Sequence, residues 1–178
     1  MSYDERSQIL GACTASANSA LPTTIVGLHG YTQLGIPPEK LVLGLPWYGY
    51  DYPCLSLTDD SVCTIPKVPF RGVNCSDAAG TQRPYNEIVR LIQASVSFVQ
   101  WNASLESPFF NYRATSGEYH QVWFDDTESL SLKYDYAARV GLYGLAFWNI
   151  DSLDYNGTQY DDFLTREMWE TILVFFDV

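Results

Sequence analysis

The sequence predicts an α/β chain in which parallel strands alternate with helices around a small α+β insertion. Three observations carry that prediction. Short, nearly continuous apolar runs at Lys40-Leu41-Val42-Leu43-Gly44-Leu45 and at residues 141–148 have the pattern of strands buried on both faces of a parallel sheet. Stretches of helical periodicity adjoin both runs. Between them lies a segment of different character, rich in cysteine and proline.

Residues 1–4 read as the end of a strand. Thr23-Thr24 then place hydroxyls ahead of Ile25, Leu28, Tyr31 and Leu34, one apolar stripe at a spacing of three, which predicts a helix. Gly35 and Pro37-Pro38 stop it before the first apolar run. From Asp51 to about Gly117 the chain holds Cys54, Cys63 and Cys75 and one clear helix. That helix has Pro84 in its first turn and Tyr85, Ile88, Leu91 and Ile92 on one face. Tyr119-His120-Gln121-Val122-Trp123-Phe124 is strand-like, and with it the parallel rhythm is expected to resume. Asp125-Asp126-Thr127 lead into a helix reaching about Ala138, with acids at its start as the macrodipole prefers. After the second apolar run, Asp161-Asp162 open a last helix containing Phe163, Leu164, Trp169, Ile172 and Leu173. Its apolar tail, Leu173-Val174-Phe175-Phe176, is expected to pack on something. The chain thus divides into a parallel part, residues 1–51 and 118–178, and an insertion, residues 52–117. The parallel part has roughly 110 residues against ~250 in a complete (β/α)8 barrel, so three strands offer only part of a barrel.

Composition narrows the function. Ten Lys and Arg against 21 Asp and Glu give a net charge of −11, which argues against a nucleic-acid surface. No apolar run approaches the ~20 residues that span a bilayer. Cys13 makes the cysteine count even, and three sequons occur at Asn74, Asn102 and Asn156. Together they predict the secretory route and disulfides among Cys13, Cys54, Cys63 and Cys75, with three pairings open. The residues from Met1 to Arg6 have neither a basic nor an apolar leader region, so the front of a secreted parent is expected to be missing. The cysteines lack the close pairs of a zinc knuckle, and His29 and His120 have no ligand partner at useful spacing. Neither a metal nor a cofactor is expected. Asp59-Asp60, Asp125-Asp126 and Asp161-Asp162 read as turn and helix-start residues.

In parallel α/β folds, functional residues gather at the C-terminal ends of strands. The three readable ends carry Tyr3-Asp4, Pro46-Trp47-Tyr48-Gly49-Tyr50 and Trp148-Asn149-Ile150-Asp151. Aromatic faces beside acids and amides suit a sugar, whose ring lies on the aromatic while its hydroxyls take directed hydrogen bonds; taken singly, Trp47 and Trp148 also fit ordinary core aromatics, Trp47 more so.

Several motifs carry a family resemblance. Met1-Ser2-Tyr3-Asp4 resembles the M-x-Y-D motif on the sixth strand of the chitinase-type glycoside hydrolases of family 18. The stretch from Leu43 to Tyr50 resembles their seventh strand, which precedes an insertion. Val122-Trp123-Phe124-Asp125-Asp126, with Ser129 and Lys133, resembles the segment that closes the insertion, and Gly144-Leu145-Ala146-Phe147-Trp148 the eighth strand. Asp51-Tyr52, Pro69-Phe70-Arg71-Gly72 and Cys75-Ser76-Asp77-Ala78-Ala79-Gly80 are similar to members that trim the core chitobiose of N-glycans. The resemblance implies strands six to eight of a (β/α)8 barrel, and N-acetylglucosamine oligosaccharides as ligands. It implies a lysosomal or extracellular parent that cleaves GlcNAc-β-1,4-GlcNAc with the help of the substrate's own acetamido oxygen. Tyr3 would bond the acetamido group, Asp4 would support the charged intermediate and Trp148 would floor the pocket. Trp47 and Tyr48 would shape the wall, and Arg71 would either make a surface salt bridge or reach substrate hydroxyls. The family's proton donor lies in D-x-x-D-x-D-x-E, a pattern this sequence does not contain. Without it, and without the half of the barrel that carries it, little or no hydrolysis is expected. A start at the motif's internal methionine would remove the leader and five strands together. The alternative is a non-catalytic glycan-binding module.

Overall fold

The computed structural model describes residues 2–93, 95–155, 157 and 159–177, with only the backbone of 159 and 160. Helix α1 (Leu21–Gln33) starts earlier than Thr23, because Pro22 sits in its first turn, where a missing N–H costs nothing. Its expected stripe is only partly buried. Leu28 reaches the core, whereas Tyr31 and Leu34 are 50% and 80% exposed. An open groove between α1 and the next strand is lined by Leu28, Tyr31, Leu41 and Val42.

The two apolar runs form the expected parallel pair. Strand β1 (Val42–Pro46) pairs with the later strand β9 (Gly144–Trp148), Leu45 opposite Phe147 and Pro46 opposite Trp148. Residues 2–4 form no strand; Ser2 N–H donates to Gly44 O at 2.8 Å, which lays this segment beside β1. A single residue, Trp47, separates β1 from β2 (Tyr48–Pro53).

Strand β2 enters a second sheet. The insertion adds an antiparallel pair, β3 (Ser56–Leu57) with β4 (Cys63–Thr64). It then adds β5 (Thr81–Pro84), α2 (Tyr85–Ile92), β6 (Gln100–Asn102) and β7 (Ser107–Arg113), followed by β8 (Tyr119–Trp123). The antiparallel sheet runs β5-β2-β8-β7-β6. Here the expectation for residues 119–124 is corrected: they form a strand, but one antiparallel to both β2 and β7 rather than part of the parallel rhythm. The cause is the tight connection before it. Ala114 N–H donates to Glu118 O at 2.9 Å, and Gly117, at φ 96°, turns the chain straight back.

Helix α3 (Thr127–Arg139) begins as the acids suggest. Asp126 Oδ1 accepts from Ser129 N–H at 2.9 Å and Ser129 Oγ accepts from Asp126 N–H at 3.0 Å, a reciprocal cap. Helix α4 (Gln159–Glu170) continues into a 3-10 turn, Thr171–Phe175. The apolar tail is split: Ile172, Val174 and Phe175 pack on the core, while Phe176 is 71% exposed. Two cores result. One gathers Leu45, Trp47, Ile88, Leu130, Tyr134 and Met168; the other gathers Tyr52, Ile65, Phe109 and Trp123 around the cysteines. The architecture is α/β with open sheets among the described residues.

Gly49 is where β2 comes closest to its neighbours. A Cβ there would lie 2.3 Å from Trp123 O and 2.7 Å from Phe124 Cβ. Gly49→Ala should therefore cost about 3 kcal/mol or more in urea unfolding, since a backbone carbonyl cannot step aside like a side chain. A loss under about 1 kcal/mol would show that the sheet relaxes freely.

Candidate functional site

The C-terminal end of β1 delivers Tyr48 to the segment carrying Tyr3 and Asp4. Tyr48 Oη donates to Asp4 Oδ1 at 2.8 Å. The rings of Tyr3 and Tyr48 meet edge to face with centroids 5.7 Å apart, and Tyr50 follows Tyr48 at 6.2 Å on the same face of β2. Asp4 itself has φ 59°, a left-handed conformation that Asp tolerates when local hydrogen bonds support it. The support is Asn18, whose Oδ1 accepts from Asp4 N–H at 3.1 Å.

The electrostatics keep the phenols protonated. Burial first, and then the bond to Asp4, push Tyr48 above its ordinary range. Burial, then Asp77 and Asp4, do the same to Tyr50, and burial with Asp4 to Tyr3. Asp77 arrives from the insertion, its N–H donating to Arg6 O at 2.9 Å. Burial and the charge of Asp4 raise its carboxyl, and Arg6 opposes the rise. The arrangement is a set of hydroxyl donors around an exposed carboxylate, suited to a neutral, hydrogen-bonding ligand.

Trp148 stands at the same sheet end, opposite Pro46 and 55% exposed, with its carbonyl accepting from Trp47 N–H at 2.7 Å. Its peptide bond to Asn149 is cis. Trp47 does not join this surface. It is fully buried, stacked on Phe147 at 4.7 Å and against Trp169 at 5.1 Å, and its indole donates to Tyr134 Oη at 3.4 Å. Side chains of neighbouring residues alternate at the crossover, so Tyr48 faces the site and Trp47 the core. Arg71 is exposed at φ 46°, with its guanidinium 5.1 Å above the Phe70 ring and no ion pair among the described residues. Its loop is tied to the chain after Asp4, because Gln8 Nε2 donates to Arg71 O at 3.0 Å and Ile9 bridges Cys75.

All four cysteines are paired, Cys13 with Cys75 and Cys54 with Cys63. The first bond fastens the insertion to the segment that carries Asp4. Asn74 is exposed beside it, and Asn102 Oδ1 accepts from Ser104 and Leu105 N–H at 3.0 Å each within its own turn. Asn156 lies outside the described residues. His120 pairs with buried Asp51 at 2.8 Å, beside Tyr112. Among the described residues, no group of three His, Cys, Asp or Glu is placed to hold a metal ion, and no helix is long and apolar enough to cross a membrane.

Sequence reading missed Asn18, Asp77 and Glu5. Half-buried Glu5 accepts from Ala20 N–H and Thr24 Oγ1, both at 3.2 Å, and so caps α1 from outside the helix. Burial, only partly offset by those bonds, pushes its carboxyl up to about 7. The unfolded value is about 4.3, so this contribution to stability is complete below about pH 4.3 and is lost as pH rises through about 7. We expect wild type to lose about 1–2 kcal/mol over that window, allowing for partial solvent screening. Glu5→Gln should flatten the loss, as read by urea unfolding at several pH values; an unchanged slope would assign the effect to another group.

A sequence profile, Glycosyl hydrolases family 18, matches residues 1–152. The chain belongs to this family. Among family-18 relatives, it is 50% identical over 169 residues to di-N-acetylchitobiase of Mus musculus, covering 95% of this chain and 46% of that protein. To the Homo sapiens di-N-acetylchitobiase it is 48% identical over 172 residues, covering 97% and 45%. A mutant GH18 chitinase from Cycas revoluta, solved with (GlcNAc)4, superposes with a TM-score of 0.69 at 24% identity, covering 96% of this chain and 45% of its own. That likeness places the open α/β fold within the chitinase-type architecture. The family-18 chain thus spans 46% and 45% of the length of these two curated relatives.

Proposed function

We propose that this chain is part of a chitobiase-like glycosidase and carries one side of its sugar site. The observation behind the reading is the Asp4 carboxylate held by the Tyr48 hydroxyl beside Tyr3, at the end of the parallel strands. In the proposed parent, Tyr3 donates to the acetamido group of an N-acetylglucosamine. Asp4 then supports the positive charge that develops when the acetamido oxygen attacks the anomeric carbon. Trp148 stacks under the ring, and the loop of Arg71 and Asp77 borders the neighbouring sugar. Strands β1 and β9 correspond in this reading to the seventh and eighth of the barrel, and residues 52–117 to the insertion. The half of the barrel that carries the acid is supplied by further polypeptide, which would cover Tyr31, Leu34 and Val42. The disulfides and the sequons favour a lysosomal or extracellular parent.

Alone, the chain has no D-x-x-D-x-D-x-E to assist the leaving group. The exposed Trp148 favours a second reading, a glycan-binding module without turnover. Titration with di-N-acetylchitobiose, followed by tryptophan fluorescence, should show saturable binding that Trp148→Ala abolishes. Hydrolysis of a fluorogenic chitobioside should remain more than tenfold below that of the mouse relative. It should rise when the N-terminal half of that relative is added. Absence of any binding would overturn the site, and turnover within tenfold would overturn the dependence on the missing acid. Binding with no rescue would favour the module.

A further inference from the structure

Asn18 belongs to no motif, yet it bonds the backbone of Asp4 and acts on the Tyr48 hydroxyl. We propose that Asn18 is a positioning residue that fixes the direction of the Asp4 carboxylate and of the Tyr48 hydroxyl. The proposal rests on the reading of Tyr3, Asp4 and Tyr48 as the sugar site.

Three features carry it. Asn18 is 3% exposed, and its Oδ1 accepts from Asp4 N–H at 3.1 Å while its main-chain carbonyl accepts from Glu5 N–H at 3.4 Å. Both bonds clasp the backbone at the residue whose φ is 59°, where a non-glycine residue stays only if its surroundings hold it. The third feature is the other end of the amide. Nδ2 is buried and has no hydrogen-bond partner within bonding distance, although a buried donor is normally satisfied. Asn18 also acts on the Tyr48 hydroxyl, opposing the rise that burial imposes. The Tyr48 hydroxyl gives its proton to Asp4 Oδ1 at 2.8 Å, which leaves its oxygen able to accept from an amide donor. One residue thus holds the backbone of Asp4 and brings an amide donor to the side of the hydroxyl that binds its carboxylate.

Two substitutions separate these roles. Asn18→Ala removes both ends, whereas Asn18→Asp keeps the acceptor for Asp4 N–H and replaces the donor facing Tyr48. Amide hydrogen exchange is read at Asp4, with Trp47 N–H, bonded to Trp148 O at 2.7 Å, as the fold control. In Asn18→Ala, exchange at Asp4 should accelerate at least tenfold while Trp47 stays within twofold. In Asn18→Asp, Asp4 should remain protected. Both variants should bind di-N-acetylchitobiose at least tenfold more weakly. Unchanged Asp4 exchange in Asn18→Ala, with Trp47 protected, overturns the proposal. If Asn18→Ala loses protection at Trp47 as well, Asn18→Asp decides: unchanged affinity there overturns it. If wild type binds no chitobiose, the sugar reading falls. The exchange result, which needs no ligand, then still decides the positioning role.

Discussion

Lys133→Met should destabilise the protein by about 3–5 kcal/mol, the usual cost of leaving a buried charge without its partner. Lys133 is fully buried on α3 and pairs with Asp125, itself 3% exposed. Asp125 also accepts from Ser129 Oγ at 2.7 Å, and Lys133 donates to Ser19 Oγ at 3.4 Å. Ser19 in turn bonds Ser2 Oγ at 2.9 Å, so the network runs from α3 to the residue before Tyr3. Removing the ammonium strands the carboxylate. Adding Asp125→Asn removes that charge as well, so the double variant should recover part of the loss. Urea unfolding of the two single variants and the double variant measures this. Simple additivity would show that the pair is not coupled.

Cys13→Ser with Cys75→Ser should cost about 4 kcal/mol, because the bond closes a chain segment with a sequence separation of 62. Cys54→Ser with Cys63→Ser, at a separation of 9, should cost about 2–3 kcal/mol. The two bonds also differ in consequence for the site. Only the first fastens the loop of Arg71 and Asp77 to the chain that carries Asp4. Losing it should weaken chitobiose binding more than losing the second, even under conditions where both variants are fully folded. Unfolding and titration of the two double variants test this together. Equal losses in both would mean that neither loop closure nor attachment separates the bonds.

What could be read from the sequence was local. The parallel pair was legible because residues 40–45 and 141–148 are apolar on both faces. The start of α3 was legible because Asp126 caps the helix that follows it. The direction of β8 was not, since a buried antiparallel strand and a buried parallel one share an apolar pattern and differ only in their partners. Trp47 and Tyr48 are adjacent aromatics in the sequence, and only the crossover from β1 to β2 sends one to the core and the other to the site. Asn18 was out of reach for a related reason. It sits among small residues without periodicity, and its meaning comes from contacts with Asp4 and Tyr48, 14 and 30 residues away. The cysteine pairing and the exposure of Tyr31 and Leu34 likewise depend on what the fold brings near, or leaves uncovered.

The single-residue crossover at Trp47 has a mechanical consequence. An ordinary inserted domain hangs from two flexible tethers and can swing. Here one attachment is a continuous extended rod, clamped at its middle by a tryptophan wedged between Phe147, Tyr134 and Trp169. The insertion is braced twice, by this rod and by the Cys13–Cys75 bond to the segment of Asp4, so a displacement of the insertion would be passed to Tyr48 and Asp4 instead of being absorbed by a joint.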